Sequence, residues 1–322
     1  MNIEFHYYIT KYLALEAGFD QDEAEVIAYS SQYIDDNVKN YKIASPEGFY
    51  ENFITQTPNI SKPVHSRFRN YILLHYMPGI PTSFKAARKD GKMHLLMTTP
   101  ASNYAQEIFF ESTKNEDLYY LGIASHMLAD TYSYQNFIGN MDEMNSLSDA
   151  WEKTSAAIGH ADVPLKPDIP NLIWIDPRLI PENSTVNNKE RVIFAAKKLY
   201  SNYLFITSGE NNWSQVKKNL TNILSKTITE TQLSLAESQK EERISKYKEL
   251  LSTFDIEYDY DPQRWLNASL SKDISEDDTN LSFAENYLES NWYKFQEAIK
   301  SYLQMSEAKL KPLLEQIEFK NW

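Results

Sequence analysis

The sequence predicts an all-α fold, and three observations carry that expectation. Only 8 glycines occur in 322 residues, which leaves few positions for tight β-turns. Apolar residues recur at helical three-and-four spacing over long stretches, not in the strict alternation of a strand. A hydrophobic content of 42% with 24% charged residues is the composition of a packed chain and not of a disordered one. The 22 tyrosines suit such a core, with rings buried and hydroxyls reaching a partner or water.

Taken in order, residues 4–18 place Phe5, Tyr8, Ile9, Tyr12, Leu13 and Leu15 on one broad face and end at Gly18, a C-cap residue. Residues 20–36 open with Asp20 as N-cap and acids in the first turn, then run apolar through Ala24, Ile27, Ala28 and Ile34. Pro78, Pro81 and Pro100 break residues 76–100 into loops, and 101–114 and 117–135 read as two further helices. A proline-rich connection over 159–185 is long for a loop, and its Ile173, Trp174 and Ile175 indicate that it packs. Helical stretches follow at about 188–207, 212–252 and 280–318, within which ESQKEERISKYKE (237–249) reads as a solvated charged face.

A formal charge of −13 opposes a polyphosphate partner, so duplex DNA is not expected. The absence of cysteine removes disulfides, thiolate nucleophiles and cysteine-ligated zinc, so any metal site must use His, Asp and Glu. The start MNIEFHYYIT has no basic segment followed by an apolar one, and no run approaches the ~20 apolar residues of a membrane span. A cytoplasmic protein is the simplest expectation, with export lacking a cleaved signal left open. The sequence gives no indication of oligomeric state.

All six histidines, His6, His65, His75, His94, His126 and His160, lie in the first half. In LGIASHMLADTYSYQNFIG, His126 and Asp130 stand four apart, so on a helix both aim at one point about one turn, ~6 Å, apart. Imidazole and carboxylate suit zinc or a similar divalent ion; equally, Asp130 could simply orient a core histidine. Asp35 and Asp36 end the second helix, and Asp35 follows Tyr33 and Ile34, where an unpaired carboxylate would be costly to bury. His75 lies in the apolar run YILLHYMPG, and His160 opens the proline-rich connection ahead of Asp162 and Asp168. His65 and His94 read as surface or loop residues. Met1 lies five residues before His6, which brings its amine within reach of any cluster there.

The segments FHYYIT, AYSSQYIDDN, LHYMPG, HMLADTYSYQNFIG and IGHADVPLKPDIP, in this order, resemble the zinc-dependent phospholipase C and S1/P1 nuclease superfamily. They are most similar to an uncharacterised bacterial branch of it. The resemblance covers about residues 4–170 and implies an all-α bundle that holds one to three zinc ions, or another divalent metal, and hydrolyses phosphate esters of phospholipid, nucleotide or nucleic-acid type. It implies that His6 joins one ion, that Asp35 and His75 serve another with His126, that Asp130 bridges, and that His160 acts with a downstream acid. YID ending in Asp35 is similar to the WAD of the nucleases, which favours Asp35 over Asp36 as ligand and as the residue that orients or deprotonates water.

The chain departs from the pattern at two points. Tyr134 stands where the superfamily supplies another histidine after the HxxxD pair, and Pro164 stands where it places an acid after His160, leaving Asp162 or Asp168 as substitutes. The resulting expectation is a metal-binding helical core over 1–185 and a helical C-terminal part over 186–322 packed on it as one unit. The function expected is a metal-dependent phosphoric ester hydrolase. The alternative is a metal-binding or degenerate member that acts as an interaction protein.

Overall fold

A computed structural model describes residues 1–56, 68–114, 116–140, 142–147, 166–255, 259–272 and 281–317. His65, His160, Asp162 and Pro164 lie outside the described residues. The described chain is predominantly helical, with helices α1 (Thr10–Ala17), α2 (Gln21–Asp36), α3 (Phe68–Asn70), α4 (Asn103–Ser112), α5 (Leu118–Ser133), α6 (Pro181–Ser184), α7 (Asn188–Thr207), α8 (Trp213–Ile223), α9 (Ala236–Ser252), α10 (Arg264–Ser269) and α11 (Asn291–Gln316). Two of them are extended by π-helical turns, Glu4–Ile9 running into α1 and Tyr71–His75 continuing α3.

The helix ends follow from local chemistry. Gly18 closes α1 with φ +103°, a left-handed conformation that glycine adopts without strain. Asp20 and Glu23 form a reciprocal capping box at the start of α2: Glu23 N–H donates to Asp20 at 2.8 Å and Asp20 N–H to Glu23 at 2.9 Å. The Asp117 carboxylate accepts from the backbone of Tyr119 and Tyr120 at the start of α5. From Tyr120 to Thr131 every residue of α5 is buried, so this helix is enclosed on all sides and forms the centre of the bundle.

Helix α5 packs most extensively on α2, and also on α4, α7 and α11. A Cβ at Gly122 would stand 2.5 Å from the Ile27 carbonyl oxygen of α2, so the close approach of the two helices requires glycine there. One hydrophobic core joins Tyr12, Ile27, Tyr29 and Ile123 of the first half to Tyr203, Trp265, Trp292 and Tyr302 of the second.

Among the described residues, six short strands accompany the helices of this predominantly helical fold. β1 (Lys42–Ser45) pairs antiparallel with β2 (Gly48–Glu51) and parallel with β6 (Leu281–Ser282). β3 (Leu172–Ile175) pairs antiparallel with β4 (Thr185–Asn187) and parallel with β5 (Ile228–Thr229). β3 accounts for the Ile173, Trp174 and Ile175 run: Trp174 is buried, and its indole donates to Asn188 at 3.1 Å.

The expected helix over 212–252 is two helices, α8 and α9, separated by β5 and a 3₁₀ segment, Glu230–Leu235. The break coincides with TITETQ, where Thr229 and Gln232 make a new capping box in mid-segment. A further correction concerns the charged face of 237–249: Arg243 and Tyr247, one turn apart, are buried.

Candidate metal centre

Four elements converge at the core. The first π-turn brings His6, the last turn of α2 brings Asp35, the second π-turn ends in His75, and α5 brings His126 and Asp130. His6 and His75 thus each lie on a widened turn, where Thr10 N–H reaches back to Phe5 O and Tyr76 N–H to Tyr71 O. Such single π-turns recur at functional sites.

Two overlapping donor groups result, His6–Asp35–His126 and His75–His126–Asp130. In each, one ligand atom per residue lies within 4.8 Å of the others. His126 belongs to both. Its Nδ1–H donates to the Ser31 carbonyl at 2.7 Å, so in the neutral ring Nε2 carries the lone pair and faces the cluster. That Nε2 stands 3.1 Å from His75 Nδ1, 3.1 Å from Asp130 Oδ2 and 3.9 Å from Asp35 Oδ1. His75 Nδ1 is 3.0 Å from Asp130 Oδ2, and His6 Nε2 is 3.2 Å from Asp130 Oδ1 and 4.0 Å from Asp35 Oδ2. The His6 and His126 rings stack at 3.8 Å.

The cluster is dry except at one member. The side chains of His6, His126 and Asp130 are fully buried and His75 nearly so, whereas Asp35 is 25% exposed. Both nitrogens of His6 and Nε2 of His75 are buried without a hydrogen-bond partner. A buried polar atom left unmatched costs about 1–3 kcal/mol. His75 meets the cluster through Nδ1, 3.0 Å from Asp130 Oδ2, and the one ligand atom that each of the five residues offers makes these residues a group that could hold a metal ion.

The charges are strongly coupled. Burial pushes the Asp35 carboxyl up to about 8 against the opposing pull of His75, with the neighbouring Asp130 charge adding to the rise. Burial also works against ionised Asp130, but the Met1 ammonium, His126 and His6 outweigh it and hold this carboxyl well below the ordinary range. Burial, then the positive charges of His126 and the Met1 amine, push the His6 imidazole well below its usual value. The Met1 ammonium, although burial disfavours its charge, is stabilised by Asp130, Asp168 and Asp35.

The remaining residues singled out from the sequence take other places. Met1 ion-pairs with Asp130 and Asp168, the latter at 3.4 Å, and Tyr134 donates to Asp168 at 2.8 Å. Asp168 and Tyr134 therefore stand beside the cluster, joined to it through Met1, and belong to neither donor group. Asp36 points elsewhere: its Oδ2 accepts from the Tyr260 hydroxyl at 2.7 Å and from Gln32 at 2.9 Å. His94 is partly buried in its loop and accepts from Leu96 N–H at 3.0 Å.

Sequence reasoning missed Arg243. Its guanidinium grips Glu4 with two bonds, Nε at 2.7 Å and Nη2 at 2.8 Å, and both side chains are buried. The only available signal was Tyr247 one turn on, which gives α9 a short apolar-sided stripe within its charged sequence.

No curated protein and no solved structure shows a significant match to the chain. Residues 1–310, which include both the donor cluster and the second-half segments packed against it, match a family of unknown function (DUF6765), and the chain belongs to that family.

Proposed function

We propose that the protein is a zinc-dependent hydrolase of phosphate esters. The observation that carries this reading is the convergence of His6, Asp35, His75, His126 and Asp130 in two overlapping groups whose ligand atoms lie within 4.8 Å of one another. Three imidazoles and two carboxylates, with no thiol in the chain, favour zinc over softer or all-oxygen ions. His6, Asp35 and His126 would form one ligand group, and His75, His126 and Asp130 another, with Asp130 between them.

When bound, zinc acidifies water toward a pKa of ~7 and stabilises negative charge on a transferring phosphoryl group. The chain's own contributions follow from exposure and charge. Asp35 is the one donor of the five that solvent reaches, so a substrate and its attacking water meet the cluster at this carboxylate. On the open side of the cluster, the Asp35 carboxylate is placed to orient or deprotonate that water. His126, held by the Ser31 carbonyl, keeps its Nε2 directed at the cluster throughout. Asp130 stays ionised and ties His75 to His6. The acidic chain gains from this cluster the local positive field that an anionic ester requires.

The test is zinc content together with turnover of bis-p-nitrophenyl phosphate by the full chain. The reading expects bound zinc, turnover that chelator removes and zinc restores, and loss of turnover in Asp35→Asn with zinc retained by the His75–His126–Asp130 group. A stably folded wild-type chain that takes up no zinc would overturn it.

A second reading, a metal-binding member that acts without catalysis, has its own support. The Met1 ammonium occupies Asp130 Oδ1, and Tyr134 and Asp168 close that side with internal partners. Zinc bound at full occupancy without turnover of any phosphate ester would select this reading.

A further inference from the structure

All five donors lie in the first 130 residues, yet two of them are held from the far end of the chain. On the first π-turn, Glu4 and His6 are two positions apart and point to different sides. His6 faces α2 and α5, whereas Glu4 faces α9, where Arg243 holds it in a bidentate fork of 2.7 and 2.8 Å. The turn cannot rotate His6 away from the cluster without pulling a buried carboxylate off a buried guanidinium. Breaking such a pair is strongly unfavourable, because it leaves a charge unmatched. Tyr8 of the same turn stacks on Tyr247, one turn along α9 from Arg243, at 6.1 Å. Asp36, next to Asp35, accepts the Tyr260 hydroxyl at 2.7 Å, which pins the last turn of α2 just ahead of α10.

The two clamps act on the same donor group, His6–Asp35–His126. The other group, His75–His126–Asp130, receives no such contact from the second half through these residues.

We propose that Arg243 and Tyr260 are positioning residues for the His6–Asp35–His126 group: they direct His6 through Glu4 and Asp35 through Asp36, and so set the metal affinity of that group. This rests on the reading of the cluster as a metal centre. Losing an outer partner of a ligand costs metal affinity roughly 10–100-fold in known sites.

The experiment uses the full chain stripped of metal. Zinc affinity is measured by competition with a chromophoric chelator, the d–d absorption spectrum is recorded with Co²⁺ in place of zinc, and thermal stability is read on the metal-free protein. Arg243→Lys keeps the charge but loses the fork. It is expected to weaken zinc binding by about tenfold and to change the cobalt spectrum. Glu4→Gln with Arg243→Met removes both charges, and is expected to recover stability relative to Arg243→Met alone while zinc binding stays weak. Tyr260→Phe deletes one oxygen that acts on Asp35 only through Asp36, and is expected to weaken binding by roughly threefold, less than the loss of a direct outer partner, with little change in melting temperature. Lys92→Met, on an exposed ion pair, serves as the control.

Folded Arg243→Lys and Tyr260→Phe proteins with wild-type affinity and spectrum would overturn the proposal, as would a double variant that regains both stability and affinity. If Arg243→Lys fails to fold, the double variant and Tyr260→Phe decide. A wild-type chain that binds neither zinc nor cobalt would instead overturn the metal-centre reading, and the proposal with it.

Discussion

The two halves of the molecule divide the work differently. The first half, through α5, carries every donor of the cluster on elements packed tightly together. The second half carries no histidine, but supplies Arg243 and Tyr260 against the backs of the donor-bearing turns. Strand pairing repeats the pattern: β6 from the second half adds in parallel to β1. The difference teaches that the donor residues of this fold sit in one half, while the contacts that hold them come from both.

The largest expected effect breaks this division from the second half. Arg243→Met leaves Glu4 charged and buried without its partner, and is expected to lower the unfolding free energy by about 3–5 kcal/mol in chemical denaturation. Gly122→Ala attacks the first half, since its Cβ would meet the Ile27 carbonyl of α2 at 2.5 Å. A loss of about 1–3 kcal/mol is expected, with weaker zinc binding as α2 carries Asp35 away from α5. His126→Ala removes the one donor common to both groups. Zinc affinity, measured by chelator competition, should fall by more than the roughly 100-fold upper cost of losing an outer partner, with both groups affected.

The pH dependence sharpens the role of Asp35. Its folded carboxyl is raised to about 8 from an ordinary value of 3.8, so between those values the metal-free fold holds a proton that the unfolded chain has released. The stability this provides is fully present below 3.8 and is lost as pH rises through about 8. Zinc must displace that proton, so its apparent affinity is expected to rise with pH up to about 8, by at most about tenfold per unit for one proton. A flat profile from pH 6 to 8 would remove Asp35 from the ligand set. The smallest effect is expected at Asp117→Ala, which deletes the N-cap of α5 and should cost about 1 kcal/mol without changing the zinc stoichiometry.

Much of this was legible in the residues themselves. Asp20 with the acids of its first turn, Gly18 and the apolar run of α5 announced their elements through capping chemistry and patterning, and the four-residue spacing placed His126 and Asp130 on one face. The resemblance then drew His6, Asp35 and His75 into the same group, and the structure places them beside that pair. The π-turns were not legible, because a widened turn leaves no signature in a pattern read at 3.6 residues. Arg243 was hidden for a different reason: a buried ion pair between residues 4 and 243 depends on tertiary contact alone, and within ESQKEERISKYKE its sequence context is that of a solvated face. The split of 212–252 was concealed by polar residues that serve a helix and a capped turn equally well.

The central claim, that the first half builds a metal centre, is tested most directly by crystals grown with zinc and an anomalous difference map at the zinc edge. The account expects at least one peak ~2.0–2.2 Å from His126 Nε2, shared with His6 and Asp35 or with His75 and Asp130. Zinc-replete crystals of the folded chain with no peak bonded to any of these five residues would contradict it.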